Sequence, residues 1–511
     1  MNRKKTIAII GAGIAGLTTG IYALENGYDV TIYEKHSIVG GQCTGWYREK
    51  TFIDGCAHWI VGTNPKSDLY PLWEHVGAFN EKSKMFPTEY FCKYDIDGEI
   101  ITIYADLEKL KNELLRVAPT DKKQINRFIN GIKVYQNVKI PVNKPLDCLN
   151  LFELMLYGIN ILPMLFHFMY YKKISVKQYA NKFKTDILRK LFGRLMDEKY
   201  NIHSFIYIMQ ALSKNDAAMV EGGSLKLAYR IKDRFIKLGG KILTNCEVKN
   251  IIIEKDVAKG ICINDNQLIY SDYIISTTDA YHTMKKLLNN QYDDYYYQYR
   301  FDNINDYPIQ TAMLFTYKVN KNVDDIAKMT QFEIDPIKIA NNVIKEISVR
   351  NYSFDKTLNN GCTTFGVLMG VDDAVYDYLA SLPHEKYIKE KNRVANEVLD
   401  SIKKYFNFKD DDITLIDVAT PLTYNRYANA YKGSYMSFIT TKKSKGLMRK
   451  GLISGLKNFV MAGQWLMPPG GLPIALFTGK HAIYRICKMD KKEFINLENK
   501  LIIKRNKKAQ I

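Results

Sequence analysis

Three glycines near the start of the chain carry chemistry that the rest of the sequence must serve. Residues 7–16 read Ile-Ala-Ile-Ile-Gly-Ala-Gly-Ile-Ala-Gly. An apolar run entering Gly11, Gly13 and Gly16 at this spacing predicts a buried parallel strand that turns sharply into a helix. Gly11 allows the turn, Gly13 lets the backbone approach a pyrophosphate, and Gly16 lets the helix pack close to the strand. A helix starting at Ile14 and Ala15 offers free N–H groups and a positive dipole end to the phosphates. Leu17, Ile21, Ala23 and Leu24 continue that helix, Gly27 ends it, and Asp29 to Tyr33 predicts a second strand. Glu34 closes this strand, placed to accept hydrogen bonds from a ribose 2′-hydroxyl and to repel a 2′-phosphate. The pattern points to a dinucleotide other than NADP. The glycines alone leave NAD and FAD both open.

The residues that follow narrow the choice. Lys35 stands beside Glu34, and Gly40-Gly41-Gln42 comes soon after. A second glycine pair at this distance lets another loop approach the same pyrophosphate. The arrangement resembles the large flavoprotein group that contains amine oxidases and phytoene desaturases.

Length and composition bound the elements that must position these residues. The 511 residues suffice for two or three domains, and 46% hydrophobic with 25% charged content is globular in character. The chain enters its first strand at once, so no signal peptide is expected. Eight cysteines without a CxxC pair suit a reducing cytoplasm and argue against a zinc site or disulfide scaffold. Cys43 falls where disulfide-type flavin reductases carry the first cysteine of a CxxxxC pair. The partner position is Arg48, so Cys43 is read as an inert small residue. The net charge of +19 favours anionic partners. No nucleic-acid recognition motif accompanies it, so nucleic acid is set aside in favour of a negative membrane surface or plain solvated charge.

Residues near 85–210 read as polar loops alternating with apolar helices. Leu225, Leu227, Ala228, Ile231, Phe235 and Ile236 have helical spacing after Glu221-Gly222-Gly223-Ser224. Strands are predicted at Lys241–Leu243, Val248–Glu254, Ala258–Asn264 and Tyr273–Ser276. Further strands follow at Thr311–Tyr317, Ile347–Tyr352, Thr363–Met369 and Asn458–Met461. Helices are expected near Lys386–Phe406 and from the last glycine-rich turn to Met489. Leu149 to Tyr171 stands apart, because no formally charged residue occurs from Leu154 onward. Three readings stand open for it: a core helix or tunnel wall, a monotopic surface dipping into lipid ahead of Lys172-Lys173, or a transmembrane span. The lysine-rich tail after Asp490 shows no core pattern and would assist lipid docking. The tyrosines between Tyr292 and Tyr299 read as an amphipathic surface.

Three more stretches resemble the phytoene desaturase-like and retinol saturase-like branch of the flavin amine oxidase superfamily. They are Phe52-Ile53-Asp54-Gly55-Cys56-Ala57-His58, the unit from Glu221 through Cys246-Glu247-Val248, and Asn458 through Gly463-Gln464-Trp465 to Pro469-Gly470-Gly471-Leu472-Pro473. The segment Ala419 to Tyr427 resembles what this branch carries just upstream. The resemblance implies FAD, with Val248 contacting the adenine end through its backbone. It implies that Gly463, Gln464, Gly471, Leu472 and Pro473 present a helix N-terminus to the flavin, which favours the anionic reduced form. Two departures stand out: Gln42 where the family often has Arg, and Gln464 where it often has Asp or Glu. The implied fold class is α/β, an FAD-binding Rossmann-like domain interleaved with an α+β substrate domain. The expected segments are 1–80, 216–300 and 451–489 for FAD, 81–215 and 301–450 for substrate, and 490–511 for the basic tail.

The residues hold no Ser-His-Asp set, metal cluster or carboxylate pair, as expected where a flavin does the chemistry. His58 is the titratable candidate beside the flavin, and Tyr424 and Arg426 are candidates for the substrate end. One glycine fingerprint argues against a separate NADPH domain, so an external electron acceptor or donor is needed: oxygen, a quinone or a nicotinamide. The first functional reading is an FAD-dependent oxidoreductase that desaturates, saturates or isomerises a lipid-like polyene such as a carotenoid, retinoid or unsaturated fatty acid. The second is an FAD-dependent amine or small-molecule oxidase. The third is a non-enzymatic flavin- or lipid-binding protein of the membrane surface. The expected location is cytoplasmic, peripheral on the inner face of the membrane.

Overall fold

Both faces of the first strand are covered, which is why Ile7 to Ile10 is apolar without alternation. The computed structural model describes residues 3–56, 59–80, 82–136, 141–264, 266–292, 294–358, 363–444 and 448–498. Thr6–Ile10 is the centre of a five-stranded parallel sheet. Asp29–Tyr33 and Lys241–Leu243 lie on one side, Tyr273–Ser276 and Phe459–Met461 on the other. Ile7, Ile9, Val30, Ile32 and Val460 face a helical layer built from Ile14–Glu25, Gly223–Lys237 and Leu472–Met489. Ala8, Ile10, Ile274, Phe459 and Met461 face an antiparallel meander of Val248–Glu254, Val257–Ile263 and Gln267–Tyr270. The sheet therefore draws its strands from the beginning, middle and end of the chain, in the α/β architecture expected.

A second, eight-stranded sheet runs in the order Ile413–Ala419, Ile309–Val319, Thr363–Val371, Asn342–Asn351, Met329–Ile339, Tyr90–Ile96 and Glu99–Tyr104, with Ser434–Phe438 added beside Ile309–Val319. One face packs on the His384–Phe406 helix through Val394, Val398 and Ile402. From the other face Leu314 and Leu368 meet Ile53 and Tyr424. That second contact joins the sheet to the hairpin Gly45–Arg48 and Thr51–Asp54 next to the glycine loops.

Several expectations need correction. Residues 85–210 are not all helix and loop, because Tyr90–Ile96 and Glu99–Tyr104 form a hairpin. Its turn is Asp97-Gly98, both at positive φ (55° and 85°), with Gly98 N–H donating to the Asp95 carboxylate at 2.9 Å. Asp-Gly between alternating runs is a strong hairpin signal. Met329–Ile339 is a strand without a clear sequence signal, its run broken by Glu333, Asp335 and Pro336. The tail beyond Asp490 is not free of the core. Asp490 accepts from Lys5, Tyr28 and Tyr273, and Phe494 packs near Tyr22 and Tyr484. Glu498 is wholly buried, accepting from Lys480 Nζ at 2.9 Å and from the Tyr22 hydroxyl. Burial holds this lysine below its ordinary range and this carboxyl above.

The Leu151–Tyr171 helix starts at a capping box. Asn150 Oδ1 accepts from Glu153 N–H, and Glu153 accepts from Asn150 N–H, both at 2.8 Å. Only Tyr171 on it is buried, while Leu151 is 87% and Phe166 73% exposed. The core-helix reading is therefore wrong. The tyrosine cluster divides: Tyr295 and Tyr299 stack on the outside, whereas Tyr297 is buried and donates to the Trp465 carbonyl at 3.2 Å.

Replacing Glu498 by alanine strands Lys480 inside the helical layer. Removing one member of a buried pair costs about 3–5 kcal/mol, so Glu498→Ala is expected to lower the unfolding free energy extrapolated from urea by that amount. Chemical denaturation followed by tryptophan fluorescence checks it.

Candidate active site

The Gly11 to Gly16 turn is held from behind. Thr277 Oγ1 donates to the carbonyls of Ile10 and Gly11 at 2.8 and 3.0 Å. Gly16 sits so close to the turn that a Cβ there would meet Gly11 O at 1.9 Å. It lies behind the cavity wall, so its role is positioning rather than contact with a ligand. Gly13 faces the second glycine loop: Gly40 N–H donates to Ala12 O at 2.9 Å, and Gly13 and Gly40 form an isolated parallel bridge. A Cβ on Gly13 would enter the gap toward Gly40 O and Gly41 Cα, at 3.8 and 3.9 Å. The helix beginning at Ile14 has no side-chain cap, which leaves its first N–H groups for a ligand.

These loops open into one cavity of about 930 Å³ that also receives the Gly463 to Pro473 segment and the walls of the second domain. At one end stand Glu34, Lys35, Val248 and His282. Glu34 is buried, and its two oxygens accept from Ala12 N–H at 2.7 Å and His36 N–H at 2.8 Å. Burial raises its carboxyl, and those two bonds oppose the rise. A carboxylate locked in this way presents its remaining lone pairs to the cavity at the ribose position. Lys35 Nζ donates to Asn429 Oδ1 at 2.6 Å, which ties the second domain to the rim of this end.

Gln42 and Gln464 touch. Gln464 Nε2 donates to Gln42 Oε1 at 2.9 Å, and Gln464 Oε1 accepts from Gly471 N–H at 3.1 Å. Gln42 Nε2 donates to the Ser434 carbonyl at 2.6 Å. The two departures from the family pattern thus meet as one neutral amide pair. The Leu472–Met489 helix starts beside them without a side-chain cap, and Gly471, Leu472 and Pro473 line the cavity. The residues present fit an extended FAD. Glu34 and Val248 would hold the adenosine end, the two glycine loops the pyrophosphate, and the Gly471–Leu472 helix start the flavin.

Tyr424 lines the cavity, deeply buried, and burial raises its phenol above the ordinary range. Arg426 does not: it is exposed, with its guanidinium over the Tyr427 ring, and Tyr427 lines the wall instead. One helical turn carries the two residues to different faces, a distinction that a motif match cannot make. His58 lies outside the described residues.

The structure adds residues that sequence reasoning missed. Asp279 is buried at the end of the central strands and accepts from the backbone N–H groups of Tyr281, His282 and Tyr431 at 2.7, 3.3 and 3.0 Å. Burial pushes it up to about 7 despite those bonds. It clips the Tyr431 segment of the second domain to the dinucleotide sheet. Its position after Thr277-Thr278 carries an N-cap signal that could have found it. The far arm of the cavity contains Phe91, Phe168, Tyr200, His203, Tyr207 and Ile208. His203 contacts the Tyr135 hydroxyl at 2.9 Å and is kept neutral by burial, which lowers it to about 4. Tyr296, from the cluster read as surface, also reaches the cavity. No local pattern marks this arm, because its residues come from separate helices.

The sequence model for flavin containing amine oxidoreductases matches residues 14–487. The chain is 22% identical to a 4,4′-diaponeurosporene oxygenase of Staphylococcus haemolyticus, over 95% of this chain and 97% of that protein. It is 23% identical to a lycopene-forming phytoene desaturase of Paracoccus sp., over 93% and 96% respectively. Among solved structures, an oxidoreductase from Methanosarcina mazei superposes with a TM-score of 0.59 at 13% identity, covering 93% of this chain and 99% of that one.

Two substitutions test the cofactor seat. Gly16→Ala is expected to yield colourless protein, because the added Cβ displaces the glycine turn; the visible absorption spectrum reads this directly. Glu34→Ala removes a charge-assisted acceptor and is expected to raise the FAD dissociation constant by about ten- to a hundredfold, measured by flavin fluorescence.

Proposed function

We propose, from the premise that the chain belongs to the flavin-containing amine oxidoreductase family and is an FAD-dependent oxidoreductase, that it acts on carbon–carbon bonds of an apolar polyene. The observation that carries this reading is where the cavity ends. Phe168 and the adjoining Lys172 belong both to the C-terminal end of the exposed apolar helix and to the cavity wall. A ligand path running from the glycine loops to an apolar outer surface suits a molecule that arrives from lipid. The relatives named for diaponeurosporene oxygenation and phytoene desaturation support the same class.

FAD, when bound, supplies hydride acceptance and return. The chain's own residues bind, orient and exclude water. The paired amides of Gln42 and Gln464 fix the Gly471 turn without adding charge, and the uncapped helix start behind it favours negative charge in the cofactor. Trp59, Phe91, Leu195, Met196 and Ile208 give the far arm an apolar wall. Tyr200 is held in place by donating to Gln310 Oε1 at 2.9 Å.

The proposal includes a membrane surface as partner. Leu151, Phe152, Met155, Ile159, Leu162 and Phe166 project from the helix into solvent, and Lys172-Lys173 follow at its end. This combination favours an anionic lipid surface, with the helix lying in it and the protein on the cytoplasmic inner face. Electrons pass to or from an external oxygen, quinone or nicotinamide.

The test is anaerobic incubation of flavin-loaded protein with a conjugated polyene in anionic liposomes. Bleaching of the flavin together with a shift in polyene absorption is expected; peroxide release with amines and no change with polyenes overturns the reading. Replacing Leu151 and Phe166 together by aspartate removes about 1.5–3 kcal/mol of burial per side chain. It is expected to weaken liposome co-flotation at least tenfold while leaving the flavin spectrum intact.

A further inference from the structure

The hairpin beside the glycine loops pairs two cysteines that are not close in sequence. Its register couples Gly45 with Asp54, Trp46 with Ile53 and Arg48 with Thr51. Gly55 N–H donates to Thr44 O at 3.0 Å, which carries the pairing one residue further. Continuing that register one step further opposes Cys43 and Cys56 at a non-hydrogen-bonded position, and in a regular ladder the Cα atoms of such a pair approach to about 4.5 Å. A disulfide needs a Cα separation of about 4.4–6.8 Å. The Cys56 thiol is near enough to act on the titration of Cys43, and both are free. Both residues line the same cavity as Gly41, Gln42 and Gly471.

The surroundings hold this pair firmly. Cys43 N–H donates to Gly40 O at 2.9 Å, and its Sγ donates to Ser224 O at 3.4 Å. Cys56 N–H donates to Asp54 Oδ1 at 3.1 Å. That carboxylate also accepts from the Ser224 hydroxyl at 2.6 Å and the Ser224 N–H at 2.9 Å. One thiol is 1% exposed and the other half-buried toward the cavity. The neighbouring Cys56, then burial, hold the Cys43 thiol well above the ordinary range, so it stays protonated. A buried protonated thiol beside a more accessible one is the division of roles that thiol–disulfide chemistry uses.

We propose that Cys43 and Cys56 form a reversible disulfide in the cavity wall and exchange two electrons with the bound flavin. The pairing rests on the FAD reading but not on the substrate. In the oxidising direction two S–H bonds break and one S–S bond forms. Two electrons and one proton pass to oxidised FAD, giving its anionic reduced form, and the second proton leaves to solvent. The reverse step returns both thiols. Arg48 excluded the short CxxxxC spacing; the hairpin supplies a partner across the strands instead.

The test uses full-length holoprotein, its flavin content read from absorption. Trypsin separates Cys43 on residues 36–48 from Cys56 on residues 51–66. In oxidised protein the two peptides are expected to be joined. After anaerobic reduction they are expected to separate and both take up N-ethylmaleimide. Stoichiometric reduction is expected to consume four electrons per flavin, halved to two in Cys43→Ala, in Cys56→Ala, and in reduced wild-type protein alkylated before reoxidation. That last arm needs no variant to fold. Peptides that stay separate under oxidising conditions, or an uptake of two electrons by the wild type, overturn the proposal. No arm contains a polyene, so a failure here leaves the substrate reading where it stands.

Discussion

A seat for phosphate made of backbone N–H groups works only if two glycine loops come into van der Waals contact, and this structure is arranged around that contact. Gly13 meets Gly40 and Gly41 because a side chain on either loop would fill the gap between them. The first loop is set by the central parallel strands and by Thr277, which fastens the carbonyls of Ile10 and Gly11 from 267 and 266 residues away. The second leads directly into the hairpin that carries Asp54. A shift in either strand register would move an N–H out of reach. The seat therefore exists only when the parallel sheet is in register, and the strands of that sheet come from three distant stretches of chain.

The second domain meets this frame through apolar contacts, Leu314 and Leu368 with Ile53 among them, and through polar ties. Lys35 with Asn429, Asp279 with Tyr431, and Gln42 with Ser434 join segments 394, 152 and 392 residues apart. Inside a cavity of low polarity such bonds are strong and direction-specific. Together with the apolar contacts they hold the eight-stranded sheet over the dinucleotide groove. That closure leaves an apolar arm directed toward the Leu151–Tyr171 helix. The same helix is anchored by little more than its last turn, where Tyr171 fills the space above Gly131 and donates to Arg127 O at 3.3 Å. An exposed apolar surface of this size is costly in water, and it gains its reason from the cavity it adjoins.

Much of the frame was legible in the sequence because its signals are local. The glycine turn, the strand ending at Glu34, the helix after Gly223 and the final helix each carry their own pattern of spacing and punctuation. What escaped was non-local. The hairpin at Asp97-Gly98 lay in a stretch whose apolar content read as helix. Arg426 and Tyr424 share one motif, yet two residues along a helix means about 200° of rotation, which sends one into the cavity and the other to solvent. The tail after Asp490 looked like basic spacer because its contacts, to Lys5, Tyr28 and Lys480, lie at the opposite end of the chain or across a helical layer.

Gln42 and Gln464 make the division plain. By itself the sequence determined the cofactor class, the interleaved α/β plan and most of the backbone that faces the dinucleotide, since these follow from local geometry at glycines and from hydrophobic period. It could record two glutamines only as separate departures, and Cys43 only as a thiol without a partner at Arg48. The tertiary structure decided that the glutamines are one hydrogen-bonded pair and that Cys43 stands opposite Cys56. The physical reason is strand register and sheet order: they fix which side chains meet, and neither is written in the spacing of any single segment.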